Sequence, residues 1–371
     1  PSRRANTIQV MKMAQAMVSQ GHHVHVLVPN PNDQPTAAWE QLSHHYGLSE
    51  PFEVEWIRCA PGLRSYDYAL KAVRRAQGDG ADLVYTRLPQ AATLASQRKI
   101  PTVLEVHDMP GGFMGRRLFR SFLRGGGTQR LVVITRALLD DLQKEFGSLK
   151  ESELTLVAPD GIDLERYENL PEPEDARQSL QPEINLPDGF TVGYSGNMYS
   201  GRGIHLIMDM SGNLADIHFL LIGGSPEEVD RYRQIAESRN LENVHFTGFV
   251  PNAELPTYQA ACNVLLMPYQ KQVAASSGGD ISAYLSPMKV FEYMASGRAI
   301  LSSDLPVLKE VLTEENAVLL PPDDLDSWKN AIVELREAPK RRKDLAEQAL
   351  EDVQEYTWAQ RVEKIFSGLS I

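Results

Sequence analysis

The chain has 371 residues, of which 42% are hydrophobic, and it carries a formal net charge of −12. This length suits two domains better than one, and the acidic balance argues against a nucleic-acid partner, since phosphate backbones bind basic surfaces. No apolar run is long enough to cross a bilayer, and two widely separated cysteines favour a reducing compartment, so we expect a cytoplasmic protein, free or at the inner face of a membrane.

In chain order, the first element is a helix rather than a strand. Residues 1–7 lead directly into an apolar helical pattern that includes Ile8, Met11 and Ala14, and the first β-branched run comes only after Gly21. An α/β domain normally opens with a strand, so we expect the first strand of this domain to be missing from the sequence.

Short β-branched runs then alternate with helical patterns through most of the chain, which is typical of parallel βαβ units with helices on both faces. Between the two series of runs, residues 164–189 are rich in proline and acidic side chains, which predicts a linker with one short helix. Two doubly wound domains are therefore expected, with the site in the cleft between them, at the carboxyl ends of their strands. The runs fall at 24–28, 83–85, 102–106, 131–134 and 154–157, and again at 190–194, 218–222, 244–246, 264–267, 299–301 and 317–320.

A histidine, His107, stands at the carboxyl end of the predicted strand 102–106 and precedes a glycine-rich segment. At that place imidazole could donate a hydrogen bond to a sugar hydroxyl or a carbonyl, although a lone histidine is more often structural. The neighbouring Asp108 could orient the ring or cap the backbone that follows.

A cluster of basic residues follows this histidine. In an acidic protein such a stretch could bind a phosphorylated acceptor or touch a membrane surface, but a solvated helix face is the simpler and favoured explanation. The cluster has five arginines within fifteen residues, interleaved with leucine and phenylalanine: Arg116, Arg117, Arg120, Arg124 and Arg130.

The second half contains a glycine-rich turn between a predicted strand and a predicted helix. It runs from Gly196 to Gly203, and the helix begins at Ile204. Glycines allow the backbone to approach a diphosphate, whose charge Arg202 could bind bidentately. A tight turn with a solvated arginine is the alternative, which the flanking strand and helix make weaker.

Two further strand ends in this half could contact a ligand. Gly223 and Gly224 follow the run 218–222 and permit a close backbone approach, but a plain turn is equally consistent with them. Phe249 and Val250 follow the next run and could line a base pocket or simply pack in the core.

The stretch 286–297 has the features of a helix start that binds an anion. Ser286 is a favourable N-cap and Pro287 suits the first helical position. Glu292, farther along, could accept hydrogen bonds from a ribose diol, whereas in a capped surface helix it would be solvated. The free N–H groups that would bind phosphate, together with the helix dipole, belong to Met288, Lys289 and Val290.

One further pattern, Asp324-Leu325-Asp326, is similar to a metal-binding pair of aspartates. It falls at a predicted helix start, where capping explains it better. We therefore expect no metal site and no cofactor.

Together these features resemble a retaining glycosyltransferase of the GT-B fold, glycosyltransferase family 4, over nearly the whole chain. The resemblance implies an α/β protein of two Rossmann-like domains facing a cleft. These would be an N-terminal acceptor domain (1–163), the linker (164–189), a C-terminal donor domain (190–352) and a final helix (353–371) that crosses back to the first domain. The similar segments are the first helix with 21–24, then 107–108, 157–163, 196–203, 246–251, 258–261, 286–297 and 303–304.

By this resemblance, the second domain binds a nucleotide sugar, with UDP expected as the nucleotide, and transfers the hexose with retention to a sugar, sugar-phosphate or lipid-linked acceptor. Glu292 would hold the ribose, Arg202 the leaving diphosphate, and His107 would lie near the transferred sugar. Cations and backbone amides would stabilise the leaving charge without a metal. The wider donor set is Asn197, Gly223, Gly224, Phe249, Val250, Ser286, Met288, Lys289 and Val290. The acceptor set is Ser2, Arg3, Asn6, Arg116 and Arg117.

Two positions depart from the family pattern. Tyr284 stands where the first glutamate of the Glu-x7-Glu motif is expected, so the resemblance does not extend to the contacts that this glutamate supplies to the donor sugar. Asn197 stands where many members have an arginine, which leaves Arg202 and Lys289 with more of the diphosphate charge. The alternatives are a sugar-nucleotide epimerase of the same architecture and a non-catalytic nucleotide-sugar binder.

Overall fold

A computed structural model describes residues 2, 4–31, 36–60, 62, 65–147, 149, 154–181, 183–184, 186–274, 280 and 282–369. The chain folds into two compact units. One comprises Pro1–Ser43, Leu48–Asp160 and Trp358–Ile371, and the other comprises His44–Gly47 and Gly161–Thr357. Arg3, one of the predicted acceptor residues, lies outside the described residues.

The first unit alternates strands and helices from its start, as the apolar runs predict. Its strands pair in parallel, β1 with β2 in one sheet and β3-β4-β5-β6 in order in another. In chain order the elements are α1 (Ala5–Ser19), β1 (His25–Asn30), α2 (Trp39–Tyr46), β2 (Glu53–Arg58), α3 (Tyr66–Gly78), β3 (Val84–Thr86), α4 (Pro89–Gln97), β4 (Thr102–Val106), α5 (Gly112–Leu123), β5 (Thr128–Val133), α6 (Arg136–Phe146) and β6 (Thr155–Val157).

The second unit is built on a six-stranded parallel sheet of order β12-β11-β10-β7-β8-β9. The strand order reverses between β7 and β10, and ligands of such sheets bind outside the carboxyl ends of the strands at that switch point. The elements are α7 (Pro173–Leu180), β7 (Thr191–Ser195), α8 (Ile204–Asn213), β8 (His218–Ile222), α9 (Pro226–Ser238), β9 (Val244–Gly248), α10 (Leu255–Ala260), β10 (Val264–Met267), α11 (Lys289–Ala295), β11 (Ala299–Ser303), β12 (Val318–Leu320), α12 (Leu325–Glu337) and α13 (Pro339–Asp352).

The α/β fold with two Rossmann-like units is confirmed, but the sequence pattern missed strand β2. Its side chains are mostly half-buried, with only Ile57 fully buried, and Glu53 and Arg58 at its two ends are exposed. A strand of this kind has no continuous apolar run, so the periodicity that revealed the other strands is absent.

The segment predicted as a linker packs on the second unit. Ala176, Leu180 and Leu186 are buried in its core, and the Arg177 guanidinium donates a hydrogen bond to the Ala261 carbonyl oxygen at 3.0 Å. Because the segment is rich in proline and acidic residues, its sequence pattern did not indicate that these side chains are buried. The predicted domain limits stay predictions.

The C-terminal helix α14 (Trp358–Phe366) belongs to the first unit and packs against α1. The Phe366 ring meets the His22 ring edge-on at 5.1 Å, and Arg130 donates hydrogen bonds to backbone carbonyls at the end of α14. Arg130 is thus buried on β5, which removes it from the predicted basic cluster. Among the described residues, no helix has the length and apolarity required to span a bilayer.

Candidate donor and histidine sites

The glycine-rich turn joins β7 to α8 at the switch point of the second sheet. Gly201 and Gly203 have φ of +82° and +80°, and a Cβ at either would lie 2.0 Å from a backbone carbonyl oxygen of the segment after β10. Only glycine permits this approach. The turn therefore lies directly on that segment, with Arg202 held between the two glycines.

The glycines after β8 have a structural role of their own. A Cβ on Gly223 would lie 2.6 Å from the Gly196 carbonyl oxygen, and one on Gly224 would lie 3.2 Å from the Met198 sulfur. Packing between loops explains both glycines, so a contact of Gly223 or Gly224 with a ligand stays a prediction.

Two cations meet the same aromatic ring beside this turn. The Arg202 guanidinium lies 4.9 Å from the centre of the Tyr269 ring, and Lys289 Nζ lies 5.4 Å from it and 3.9 Å from the Tyr194 ring. Lys289 Nζ is buried and has no hydrogen-bond partner among the described residues. Burial and the nearby charge of Arg202 hold the pKa of Lys289 well below its usual range.

This arrangement suits a multivalent anion. A buried ammonium without a partner is costly, because it has lost its hydration and gained no hydrogen bond. A phosphate oxygen would supply that bond and would also offset the repulsion between Lys289 and Arg202. Asn197 lies in the same turn, and its carbonyl oxygen accepts a hydrogen bond from the Tyr194 hydroxyl at 2.6 Å.

Helix α11 begins later than predicted. Its N-cap residue is Met288, not Ser286, and no side chain caps the helix. The Val290 N–H donates to the Pro287 carbonyl oxygen at 2.9 Å, so the prediction that this amide is free for phosphate is wrong. The reason is local: the chain enters the helix through a tight turn at Pro287 that already uses the amide. Phosphate binding by the amides of Met288 and Lys289 stays a prediction.

Glu292 lies inside the protein. It is 8% exposed, and every residue from Val290 to Ala295 is buried, which excludes the solvated surface helix. Its carboxylate lies near enough to Lys289 to favour the charged ammonium, although burial outweighs that effect. The assignment of Glu292 to a ribose stays a prediction.

The two residues after β9, Val250 and Phe249, were each predicted either to line a base pocket or to pack in the core. Val250 packs against the core of the second unit. Phe249 is 37% exposed, and its ring stacks on His45 with 5.3 Å between the centroids. Packing accounts for Val250, whereas Phe249 presents an aromatic surface on which a base could stack.

The first unit holds a buried carboxylate, Glu105, two residues before His107. Its Oε1 accepts hydrogen bonds from His107 Nε2 and, at 2.7 Å, from Gln9 Nε2. Its Oε2 accepts from the Tyr85 hydroxyl and, at 3.1 Å, from Arg361 Nη1. Burial alone would raise the pKa of Glu105, but Arg361 and His107 hold it well below its usual range. Glu105 is therefore ionised and its oxygens are occupied.

Arg361 reaches this cluster from α14 and also binds the loop after β6. Its Nε donates to the Pro159 carbonyl oxygen at 2.7 Å, and its Nη2 donates to that of Ala158 at 3.1 Å. Asp160 comes next in the chain. The same guanidinium thus joins Glu105 to the backbone that carries Asp160.

The side chains of Glu105, His107 and Asp160 are close enough to be metal ligands, with one donor atom of each within 4.8 Å of the others. Asp160 Oδ1 is buried without a hydrogen-bond partner among the described residues, and burial raises the pKa of Asp160. Glu105, however, already has four donors, including the positive guanidinium of Arg361. This favours a hydrogen-bond network over a metal centre, and metal independence stays a prediction.

Of the two roles left open for Asp108, the structure supports capping. Its Oδ1 accepts the Met109 N–H at 2.7 Å, and Glu105 contacts the His107 ring instead. Sequence reasoning missed Glu105, although a glutamate inside the apolar run 102–106, on the same strand face as His107, was a usable signal. In the apparent metal motif, Asp324 accepts the Ser327 N–H at 3.2 Å as the N-cap of α12, as predicted. Asp326 forms an ion pair with Lys329 at 2.8 Å.

The predicted acceptor residues have local contacts. Ser2 Oγ accepts the N–H of Arg4 at 3.3 Å, and the Asn6 carbonyl oxygen accepts from Arg87 at 3.4 Å. Their binding of an acceptor stays a prediction. On α5, Arg116 pairs with Glu145 at 2.6 Å, and Arg117 is exposed.

Both halves of the chain match glycosyltransferase families. Residues 7–166 match the family described as Glycosyltransferase Family 4, and residues 189–338 match that described as Glycosyl transferases group 1. Among curated relatives, the 2-deoxystreptamine glucosyltransferase of Streptomyces kanamyceticus is 29% identical over 147 residues. That alignment covers 38% of this chain and 37% of the relative, well under two thirds of its length.

Two other similar proteins align over most of their length. The GDP-mannose-dependent alpha-(1-6)-phosphatidylinositol monomannoside mannosyltransferase of Mycolicibacterium smegmatis is 25% identical, over 78% of this chain and 75% of that protein. The crystal structure of Anabaena HepE in complex with UDP-glucose superposes with a TM-score of 0.74 at 18% identity, over 98% of this chain and 95% of that one. The two family matches and the two Rossmann-like units lead to one conclusion: the chain belongs to the family 4-like glycosyltransferases of the GT-B fold.

Proposed function

We propose that this protein is a retaining hexosyltransferase that takes its sugar from a UDP-sugar and transfers it to a lipid-linked acceptor at a membrane surface. The observation that carries the donor half is the pair of cations at the switch point of the second sheet. Lys289 Nζ is buried there without a partner among the described residues, and Arg202 lies on the same aromatic ring. As the glycosidic bond breaks, the diphosphate gains charge, and both cations would stabilise it.

The choice of UDP is supported by HepE, whose structure contains UDP-glucose. The mycobacterial relative uses GDP-mannose, so the base must be tested directly. Ligand that binds only the folded protein raises its melting temperature. We expect UDP and UDP-sugars to raise it more than GDP does; a larger shift with GDP would overturn the base and leave the diphosphate site intact. Retention is tested by NMR of the anomeric configuration of the new glycosidic bond in the product.

The acceptor proposal rests on one face of α5. Phe113 and Met114 at its start are 77% and 50% exposed. Arg117, Arg120 and Arg124 are also exposed and follow Phe113 at spacings of three and four residues, which places them on one side of the helix. The opposite side is buried through Phe119 and Phe122. Exposed apolar residues at one end of a basic stripe suit an anionic lipid surface, even in an acidic protein.

Vesicle sedimentation tests this surface. We expect the protein to bind phosphatidylglycerol vesicles and not phosphatidylcholine vesicles, and to lose binding when Arg117→Gln is combined with Arg124→Gln or when Phe113→Ser is combined with Met114→Ser. Arg74→Gln combined with Lys343→Gln, at exposed positions of α3 and α13, removes two charges as the arginine pair does and is the control. If the protein does not bind anionic vesicles, or if the control loses binding to the same extent, the exposed side of α5 is a solvated helix face and not a membrane-binding surface.

A further inference from the structure

The His107 ring contacts a carboxylate that can only accept hydrogen bonds. Glu105 is ionised, so the nitrogen that contacts it, Nε2, must carry the hydrogen. The side chain of His107 is 19% exposed, whereas that of Glu105 is 0% exposed. The ring is therefore anchored through Nε2, and Nδ1 is the nitrogen left to meet a substrate.

The charge on Glu105 depends on Arg361. A carboxylate this deeply buried protonates unless a positive charge lies beside it. A protonated Glu105 could donate its own hydrogen to Nε2, which would move the hydrogen of the neutral ring to Nδ1. Arg361 prevents this, because its Nη1 donates to Glu105 Oε2 at 3.1 Å.

Arg361 also fixes the second carboxylate of the cluster. Its hydrogen bonds to the carbonyl oxygens of Ala158 and Pro159 hold the backbone immediately before Asp160. One oxygen of the Asp160 carboxylate lies within 4.8 Å of a ring nitrogen of His107. The Arg361 guanidinium therefore also positions Asp160 beside the ring.

We propose that Glu105 and Arg361 are positioning residues that hold His107 in the tautomer with its hydrogen on Nε2, and that helix α14 is thereby part of the histidine site. The identity of the group that meets Nδ1, an acceptor hydroxyl or a donor-sugar oxygen, rests on the proposed function. The tautomer itself does not.

The tautomer is measured by NMR on the full chain labelled with ¹⁵N-histidine, with the His107 signals assigned by their loss in His107→Gln. In the wild-type protein we expect Nε2 to be protonated whenever the ring is neutral. A wild-type ring with its hydrogen on Nδ1 would overturn the inference without any variant having to fold.

Two variants test the cause. In Arg361→Gln we expect a population with the hydrogen on Nδ1, and in Glu105→Gln a mixture of tautomers. Lys364→Gln, at an exposed position of α14, and Asp108→Asn, which leaves Glu105 in place, should keep the wild-type signal. If Arg361→Gln is unfolded by circular dichroism, combining Glu105→Gln with Arg361→Met removes both buried charges together. An unchanged tautomer in the folded variants would refute the role of these residues.

Kinetics separate positioning from a structural role. Once an acceptor is known, Glu105→Gln should lower kcat in proportion to the fraction of His107 that loses the tautomer with its hydrogen on Nε2, with the KM for the donor unchanged. If no sugar is transferred to any acceptor but the tautomer still depends on Arg361, the proposed function fails and the positioning role stands. If transfer occurs with the hydrogen on Nδ1, only the positioning role fails.

Discussion

Replacing Lys289 by methionine should make the ligand-free protein more stable and its binding of UDP weaker. Methionine has a similar shape, contacts aromatic rings favourably and needs no hydrogen bond. In the native protein, Lys289 Nζ is buried with no partner among the described residues.

The magnitude of each effect follows from this geometry. An unsatisfied buried polar group destabilises the folded protein by about 1–3 kcal/mol. While Lys289 is charged, its contact with the Tyr194 ring at 3.9 Å offsets roughly 0.5–2 kcal/mol of this cost. The variant should therefore gain about 1 kcal/mol of unfolding free energy, or roughly 2–4 °C in melting temperature for a unit of this size. Loss of one charge-assisted hydrogen bond to a phosphate costs about 1.5–3 kcal/mol, which weakens UDP binding about 10- to 150-fold.

Scanning calorimetry without ligand and isothermal titration with UDP measure the two effects on the same samples. The matched control is Lys343→Met on α13, where the lysine side chain is 73% exposed in an ion pair with Glu347. It should change stability by no more than about 0.5 kcal/mol and leave the Kd unaltered. If Lys289→Met lowers the melting temperature, or binds UDP like the wild type, the ammonium is not the unpartnered diphosphate ligand inferred above.

Five further results are expected. Lys289 should take up a proton when UDP binds, because its pKa is depressed in the free protein and a diphosphate favours the charged form. The affinity for UDP should therefore fall as pH rises. Calorimetric titrations in buffers of different ionisation enthalpy detect the proton uptake. By the same shift, the unfolded chain binds more protons than the folded one between the depressed pKa and the ordinary lysine value, so this group's contribution to ligand-free stability should rise with pH in that window. Arg202→Ala should lower turnover by roughly two to three orders of magnitude in a folded protein, and wild-type rates would reduce the glycine-rich turn to a structural feature. EDTA should leave turnover unchanged; abolition by EDTA with restoration by manganese would instead make Glu105, His107 and Asp160 a metal centre. Deleting residues from Thr357 onward removes Arg361 and should impair transfer more than UDP binding, and normal turnover by a folded truncated protein would contradict that.

Much of the fold could be predicted because most strands are continuous apolar runs. The limits of β4, β8 and β10 coincide with their predicted runs, since strands buried on both faces leave a clear signal. Strand β2 was missed because most of its side chains are only half-buried. The N-cap at Ser286 was also wrong, because local propensity cannot foresee that a turn at Pro287 delays the helix to Lys289.

The residues proposed for the donor site are easier to find in the sequence than those of the histidine cluster, for a physical reason. A diphosphate loop is a contiguous segment between one strand and one helix, so its glycines and Arg202 appear together in the sequence. The histidine cluster is assembled from β4, the loop after β6 and α14, and its key contact joins residues 256 positions apart. The local sequence pattern singled out His107 as a candidate site residue, but it did not indicate that Arg361 lies beside it.

The two sites also differ in how their charges are balanced, and this sets what each can do before a substrate arrives. In the second unit, burial and the charge of Arg202 disfavour a charge on Lys289. An anion that binds there favours the charged form and offsets its repulsion with Arg202, most strongly as the leaving group gains charge. In the first unit, the negative charge of Glu105 is already paired with Arg361, and the His107 ring is oriented by the protein alone. A ligand is therefore needed to satisfy the donor site, whereas the histidine site is preorganised. Neutralising Lys289 should thus act mainly on binding of the nucleotide, and breaking the Glu105–Arg361 pair should act mainly on the catalytic step.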